Sequence, residues 1–199
     1  MKRIFRTMAL WVILTLPALA SAATWTIDPD HTSIGFKIRH LMVSNVKGTF
    51  DRHTGVVDID EKDITKSKVT VTIDTASINT NVQKRDDHLR SPDFFDVAKY
   101  PSMTFTSKKV ARGANGKLKV TGDLTIRGIT REVVLDVDPL SRESKDPWGN
   151  IRIGTSATTM VNRKDFGLTW NKALETGGVV VGDEVSITLE IEMIKTQPK

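Results

Sequence analysis

Asp86-Asp87-His88-Leu89-Arg90-Ser91-Pro92-Asp93-Phe94-Phe95-Asp96-Val97-Ala98-Lys99-Tyr100-Pro101-Ser102-Met103-Thr104-Phe105 breaks the rhythm of the chain around it. Elsewhere apolar and polar residues alternate with a period of two, the pattern of half-buried strands. Here Asn79 to Leu89 forms a polar, helix-compatible run carrying Lys84, Arg85, Asp86, Asp87 and His88. Pro92 and Pro101 punctuate the stretch after it, with the bulky pair Phe94-Phe95 between them. This pattern predicts a short amphipathic helix crossing one end of a sheet, its trailing phenylalanines plugged into the sheet's apolar face.

Outward from this segment the chain reads as strands. Trp25–Asp28 and Ser33–His40 open it, turned by Asp28-Pro29-Asp30-His31. Val46–Phe50, Gly55–Asp60 and Lys68–Thr75 come next, before the helix. After Pro101 comes a meander. A strand from Met103 ends at Asn115-Gly116, a strong hairpin signal because both residues tolerate positive φ. Leu118, Val120, Leu124 and Ile126 share a face of the next strand, and Arg127-Gly128 turns it into Thr130–Asp138. Asp146-Pro147-Trp148-Gly149 leads into Asn150–Met160. Val179–Val181 and Val185–Met193 are expected as two strands joined by Gly182-Asp183, the latter alternating without a fault.

One helix is too small to cover a large sheet with one apolar face, so the sheet must curl on itself. A meander of tight hairpins favours an all-β fold, an antiparallel up-and-down β-barrel of about eight strands, with the short helix over one end. Such a barrel is either filled by side chains or holds one small ligand.

The first 22 residues stand apart. Lys2, Arg3 and Arg6 precede a largely apolar run from Met8 to Leu16, and Ala20-Ser21-Ala22 fits a cleavage site. This is the pattern of a secretory signal peptide, too short for a membrane span. Cleavage after Ala22 leaves one domain, 23–199. The leader holds three of the 29 basic residues and none of the 24 acidic ones, so the net charge of +5 falls to +2. Most of the basicity belongs to the leader, and nucleic-acid binding gains little support. With no cysteine, disulfides and thiol chemistry are excluded.

Chemistry is not evident in the residues. His31, His40, His53 and His88 lie on separate segments without the spacing that puts two metal ligands on one face. Asp28-x-Asp30-x-Thr32 starts like a calcium loop, but Arg39 stands at its twelfth position. No Gly-x-Ser-x-Gly elbow occurs. Asp86, Asp87 and Asp93 lie among Lys84, Arg85 and Arg90 and read as surface ion pairs and caps. No catalytic residue, metal or cofactor is expected. The apolar interior remains, with Phe36, Ile38, Val71, Ile73, Phe94, Met103, Phe105, Leu124, Ile126, Leu135, Ile153, Ala157, Trp170 and Leu189 as candidate lining. Periodicity alone leaves a packed core and an open pocket both standing.

Several segments resemble the YceI-like family of exported bacterial proteins described as polyisoprenoid-binding. The likeness rests on Trp25-Thr26-Ile27-Asp28 with His31-Thr32 and Phe36, and on Arg85-Asp86-x-His88-Leu89-Arg90-Ser91 with Asp93-Phe94-Phe95. Lys99-Tyr100-Pro101, Gly122-Asp123-Leu124-Thr125, Asp146-Pro147-Trp148-Gly149, Asn162-Arg163-x-Asp165-Phe166-Gly167 and Val181-Gly182-Asp183-Glu184-Val185 extend it along the chain. The resemblance implies a lipocalin-like barrel whose interior takes an isoprenoid or similar long-chain lipid, a periplasmic location, no permanent membrane anchor and sometimes a homodimer. It supplies no catalytic residue set. Three functions stand as expectations. The first is a carrier of isoprenoid or quinone-like lipids. The others are an enzyme acting on such a lipid's head group near His88 or His31, and a stress-related protein with a filled core.

Overall fold

The computed structural model describes residues 22–175 and 177–196. The signal-peptide expectation lies outside them except for Ala22, where the first strand begins. The strands are β1 (Ala22–Ile27), β2 (Ser33–His40), β3 (Ser44–Phe50), β4 (His53–Asp60), β5 (Lys68–Asp74), β6 (Ile78–Asn79), β7 (Ser102–Arg112), β8 (Leu118–Ile126), β9 (Ile129–Val137), β10 (Ser144–Lys145), β11 (Ile151–Asn162) and β12 (Val181–Lys195). One helix, α1 (Gln83–Arg90), stands between β6 and β7.

Every pairing is antiparallel, and the strands close into an eight-stranded barrel. The first three strand paths around it are each broken once, β1 into β2, β3 into β4 and β5 into β6. Thus β12 meets β1 at one end, with Ile27 opposite Met193, and β2 at the other, with Phe36 opposite Ile187. Closure comes from β11 and β12, which stay in register from Arg152↔Ile194 to Asn162↔Glu184. The weakest seam is between β9 and β11, where only Val137↔Ala157 and Asp136↔Thr158 pair.

The odd-numbered apolar residues of β12 face inward because a strand's side chains alternate between faces. On β7 a register shift between Ser107 and Lys109 changes the parity, so that Val110 is buried. The Asn115-Gly116 turn is present with positive φ at both residues. The expected turn at Gly182-Asp183 is not a turn. It is an irregularity inside the single strand β12. Buried Arg163 donates to the Gly182 carbonyl at 2.8 Å, and Asp183 pairs with Lys164 and Arg163, so the distorted backbone gains partners that a regular ladder would deny it.

The helix is short and held from outside itself. Asp86 is buried, not a surface charge, and its carboxylate accepts from both the backbone N–H and the hydroxyl of Thr80. Arg90 donates to the carbonyls of Ala76 and Ile78. These bonds tie α1 to the β5–β6 corner and set it across one end of the barrel. Phe94 then reaches into the interior, as the sequence pattern implies, and is 6% exposed.

Candidate functional site

A cavity of about 400 Å³ runs along the barrel axis, within the ~300–1,000 Å³ typical of small-molecule sites. Its openness has a local cause. Gly48 and Gly122 occupy inward positions on β3 and β8, and the rings of Phe36 and Phe105 lie across them. A Cβ at either glycine would meet the covering ring at 2.5 Å. Large side chains thereby lie against the wall, and the axis stays free.

One end is shut. Trp25, Ile27, Ile59, Ile153 and Met193 form a separate buried cluster there. The other end carries α1, the Ser91–Pro101 connection and the β2–β3 turn. His88, Phe94 and Trp170 pack edge-on or tilted, with centroids 4.9–5.2 Å apart. Phe36, Phe50 and Phe95 make a second aromatic ladder at 5.8 and 5.6 Å. The arginines of the lining lie at this end, Arg39, Arg85 and Arg163, with His40 and His88 beside them.

Thirteen of the expected lining residues meet around this cavity: Phe36, Ile38, Val71, Ile73, Phe94, Met103, Phe105, Leu124, Ile126, Leu135, Ala157, Trp170 and Leu189. Ile153 does not. It shares a face with Ala157, but the strand carries it into the closed end, opposite Met193 and against the Trp25 cluster. Residues that alternation did not single out also line the space, among them Phe166, Leu168 and Val180 in irregular segments, and His53.

The two histidines considered for head-group chemistry are far apart in role. His88 lines the cavity and its Nε2 sits 2.9 Å from an Asp93 carboxylate oxygen. His31 lies outside, on a polar groove with Arg152, Asp146 and Glu192. There Asp28, His31 and Glu192 present potential ligand atoms within 4.8 Å of one another. However, the Arg152 guanidinium donates to both carboxylates, at 2.5 Å each, and to Asp146 at 2.7 Å. A cation already sits where a metal would.

Electrostatics there are strongly coupled. Burial would raise the Asp28 carboxyl, yet hydrogen bonds from Arg152, His31 and the Asp30 N–H hold it below the ordinary value. Asp146 is likewise opposed by burial but held well below the usual range by Arg152, Asn150 and the Trp148 N–H. The hydrogen bond to Asp28, with its charge, raises the imidazole of His31. Sequence inspection missed this network because its members belong to four separate segments.

A YceI-like domain model matches residues 25–193. A UPF0312 protein of Vibrio parahaemolyticus is 42% identical over 168 residues, covering 83% of this chain and 88% of that one. The crystal structure of the Campylobacter jejuni YceI protein matches with a TM-score of 0.68 at 38% identity, over 81% and 91% of the two chains. A polyisoprenoid binding domain from Saccharophagus degradans, implicated in plant cell wall breakdown, shares the fold with a TM-score of 0.62 at 18% identity, over 88% and 99%.

Proposed function

The chain belongs to the YceI-like family, and on that footing we propose that it is a periplasmic carrier of long-chain apolar lipids, isoprenoid or quinone-like, held inside the barrel. The observation that carries this reading is the axial cavity, apolar for most of its length and with its arginines at the α1 end. A barrel that needed only stability would fill that space, because packing empty volume adds dispersion contacts. The Saccharophagus degradans neighbour, named for polyisoprenoid binding, supports the same ligand class.

Transfer energetics fit a reversible carrier. Each buried methylene contributes roughly 0.8 kcal/mol, so a chain of several isoprene units gains ample driving force. Chain ordering and extraction from a bilayer or micelle oppose it, which leaves an affinity that permits release. Among the described residues no helix is long and apolar enough to cross a membrane.

The test is organic extraction of protein purified from its own cells, followed by mass spectrometry. A long isoprenoid in near-stoichiometric amount is expected. Absence of lipid, together with no uptake of an added isoprenoid, rejects the carrier reading. N-terminal sequencing of the periplasmic fraction should find Ala23 first; intact Met1 in the membrane fraction overturns the export assignment.

A further inference from the structure

His53 is 5% exposed and lines the cavity, and neither ring nitrogen meets a protein hydrogen-bond partner among the described residues. It begins β4, directly across from Ile73. An imidazole offers a donor and an acceptor in either neutral tautomer, and buried polar groups without partners are rare enough to need a reason. The arginines that line the cavity, Arg39, Arg85 and Arg163, stand at the α1 end. All three donate to local backbone carbonyls, Arg39 to Met42, Arg85 to Thr80 and Arg163 to Gly182, Leu168 and Trp170, and Arg85 donates to the Thr80 hydroxyl as well.

We propose that His53 is the polar anchor of the cavity, binding the neutral, oxygen-bearing end of a lipid (an alcohol, phenol or quinone oxygen) that enters head first, its chain trailing toward α1. The proposal rests on the carrier reading above. A diphosphate head would bring several charges to a stretch of wall lined by Ile27, Val57, Val71 and Ile73, where no lysine or arginine among the described residues compensates them.

The experiment compares a polyprenol, an isoprenoid quinone, a polyprenyl diphosphate and the oxygen-free hydrocarbon squalene, on wild type and on His53→Leu and His53→Gln. Wild type is expected to bind the alcohol and quinone about fivefold more tightly than squalene, the worth of one buried neutral hydrogen bond. His53→Leu should lose that preference while still binding squalene, and His53→Gln should retain part of it. The imidazole ¹⁵N resonances of His53 in wild type should shift with quinone and not with squalene. Equal affinities for quinone and squalene in wild type, a preference that survives His53→Leu, or tightest binding of the diphosphate each overturn the anchor and leave the carrier standing. Failure of wild type to bind any of the four rejects both.

A second inference stands on a different observation. At the same end as α1, the β2–β3 turn exposes Leu41, Met42 and Val43, the last 78% exposed. Leu41 and Met42 have φ of 51° and 59°, a left-handed conformation that disfavours bulky side chains and that Asn-Gly would adopt without strain. Behind this tip, Lys37 and Lys47 lie directly opposite each other on the outer face. Like charges so placed repel, and neither has an ion-pair partner among the described residues. Arg39 adds a third exposed cation on that hairpin.

From this we infer that the hairpin docks on an anionic lipid surface, its apolar tip entering the interface and its basic pair facing the headgroups. Charge complementarity and the position of the tip at the polar end of the cavity select this occupant. Flotation with phosphatidylcholine vesicles, with and without phosphatidylglycerol, tests it. Wild type should float with the anionic vesicles and release in high salt. Lys37→Ser and Lys47→Ser should each weaken that binding about fivefold. The pair Leu41→Asn with Met42→Gly should fold at least as stably yet no longer float. Equal binding of wild type to both vesicle types, flotation of the Asn-Gly variant, or a dimer in solution that Val43→Asp dissolves overturns the inference.

Discussion

Arg152 donates a hydrogen bond to Asp28, 124 positions away in the chain, and the same guanidinium serves Asp146 and Glu192. This cation links the start of the barrel to its closing strands. Removing one partner of a buried ion pair leaves the other uncompensated. Arg152→Leu should therefore lower the denaturation midpoint at neutral pH.

The same substitution should flatten the response to acid. In wild type Asp28 and Asp146 have depressed carboxyl values, so their contribution is present above the unfolded value of about 3.9 and is lost as pH falls through the folded one. Without Arg152 fewer hydrogen bonds oppose burial, so both values move up toward the ordinary one. The variant should then lose less stability than wild type as pH drops from about 4 toward about 2, although it starts lower. Thermal melts from about pH 5 down to about pH 2 check the difference in slope.

His31 contributes in the opposite direction. Its raised value means that its stabilisation is complete below the unfolded value of about 6.5 and fades as pH rises through the folded one. The wild-type midpoint should decline modestly from pH 6 to pH 8, and His31→Gln should remove that slope without abolishing folding.

Ala157 and Val133 should separate wall from lumen. Both line the cavity, but Ala157 is 1% exposed, pressed between Val137 and Leu189. Ala157→Leu should cost about 1–3 kcal/mol of strain. Val133, only half-buried, has room beside it. Val133→Phe should leave the apo-protein midpoint nearly unchanged while lowering uptake of a long isoprenoid. Paired melting and binding measurements distinguish the two.

The β9–β11 seam should open first. Ile129 to Leu135 have no partner on β11, so their β11-facing amides should exchange about tenfold or more faster than those of β12. Hydrogen exchange resolved along β9 checks this.

How much of the fold and the cavity was legible in the chain depends on the range of the signals. Period-two alternation from Val185 to Met193, the Asn115-Gly116 turn and the Phe94-Phe95 plug are local, so the sequence by itself determined an antiparallel meander, its approximate strands and most of the lining residues. Alternation says which face a side chain takes, not how far along the barrel it sits. That is why Ile153 shares a face with Ala157 and still belongs to the closed end. Gly182-Asp183 resembles a turn in isolation, yet Arg163 and Lys164 hold it within one strand. Tertiary structure alone decided whether the interior is open, because that depends on Phe36 and Phe105 lying over glycines of neighbouring strands. It alone gathered Asp28, Asp146, Arg152 and Glu192, and left His53 without a hydrogen-bond partner among the described residues. Burial and pairing are properties of residues brought together across the barrel, and no local pattern encodes them.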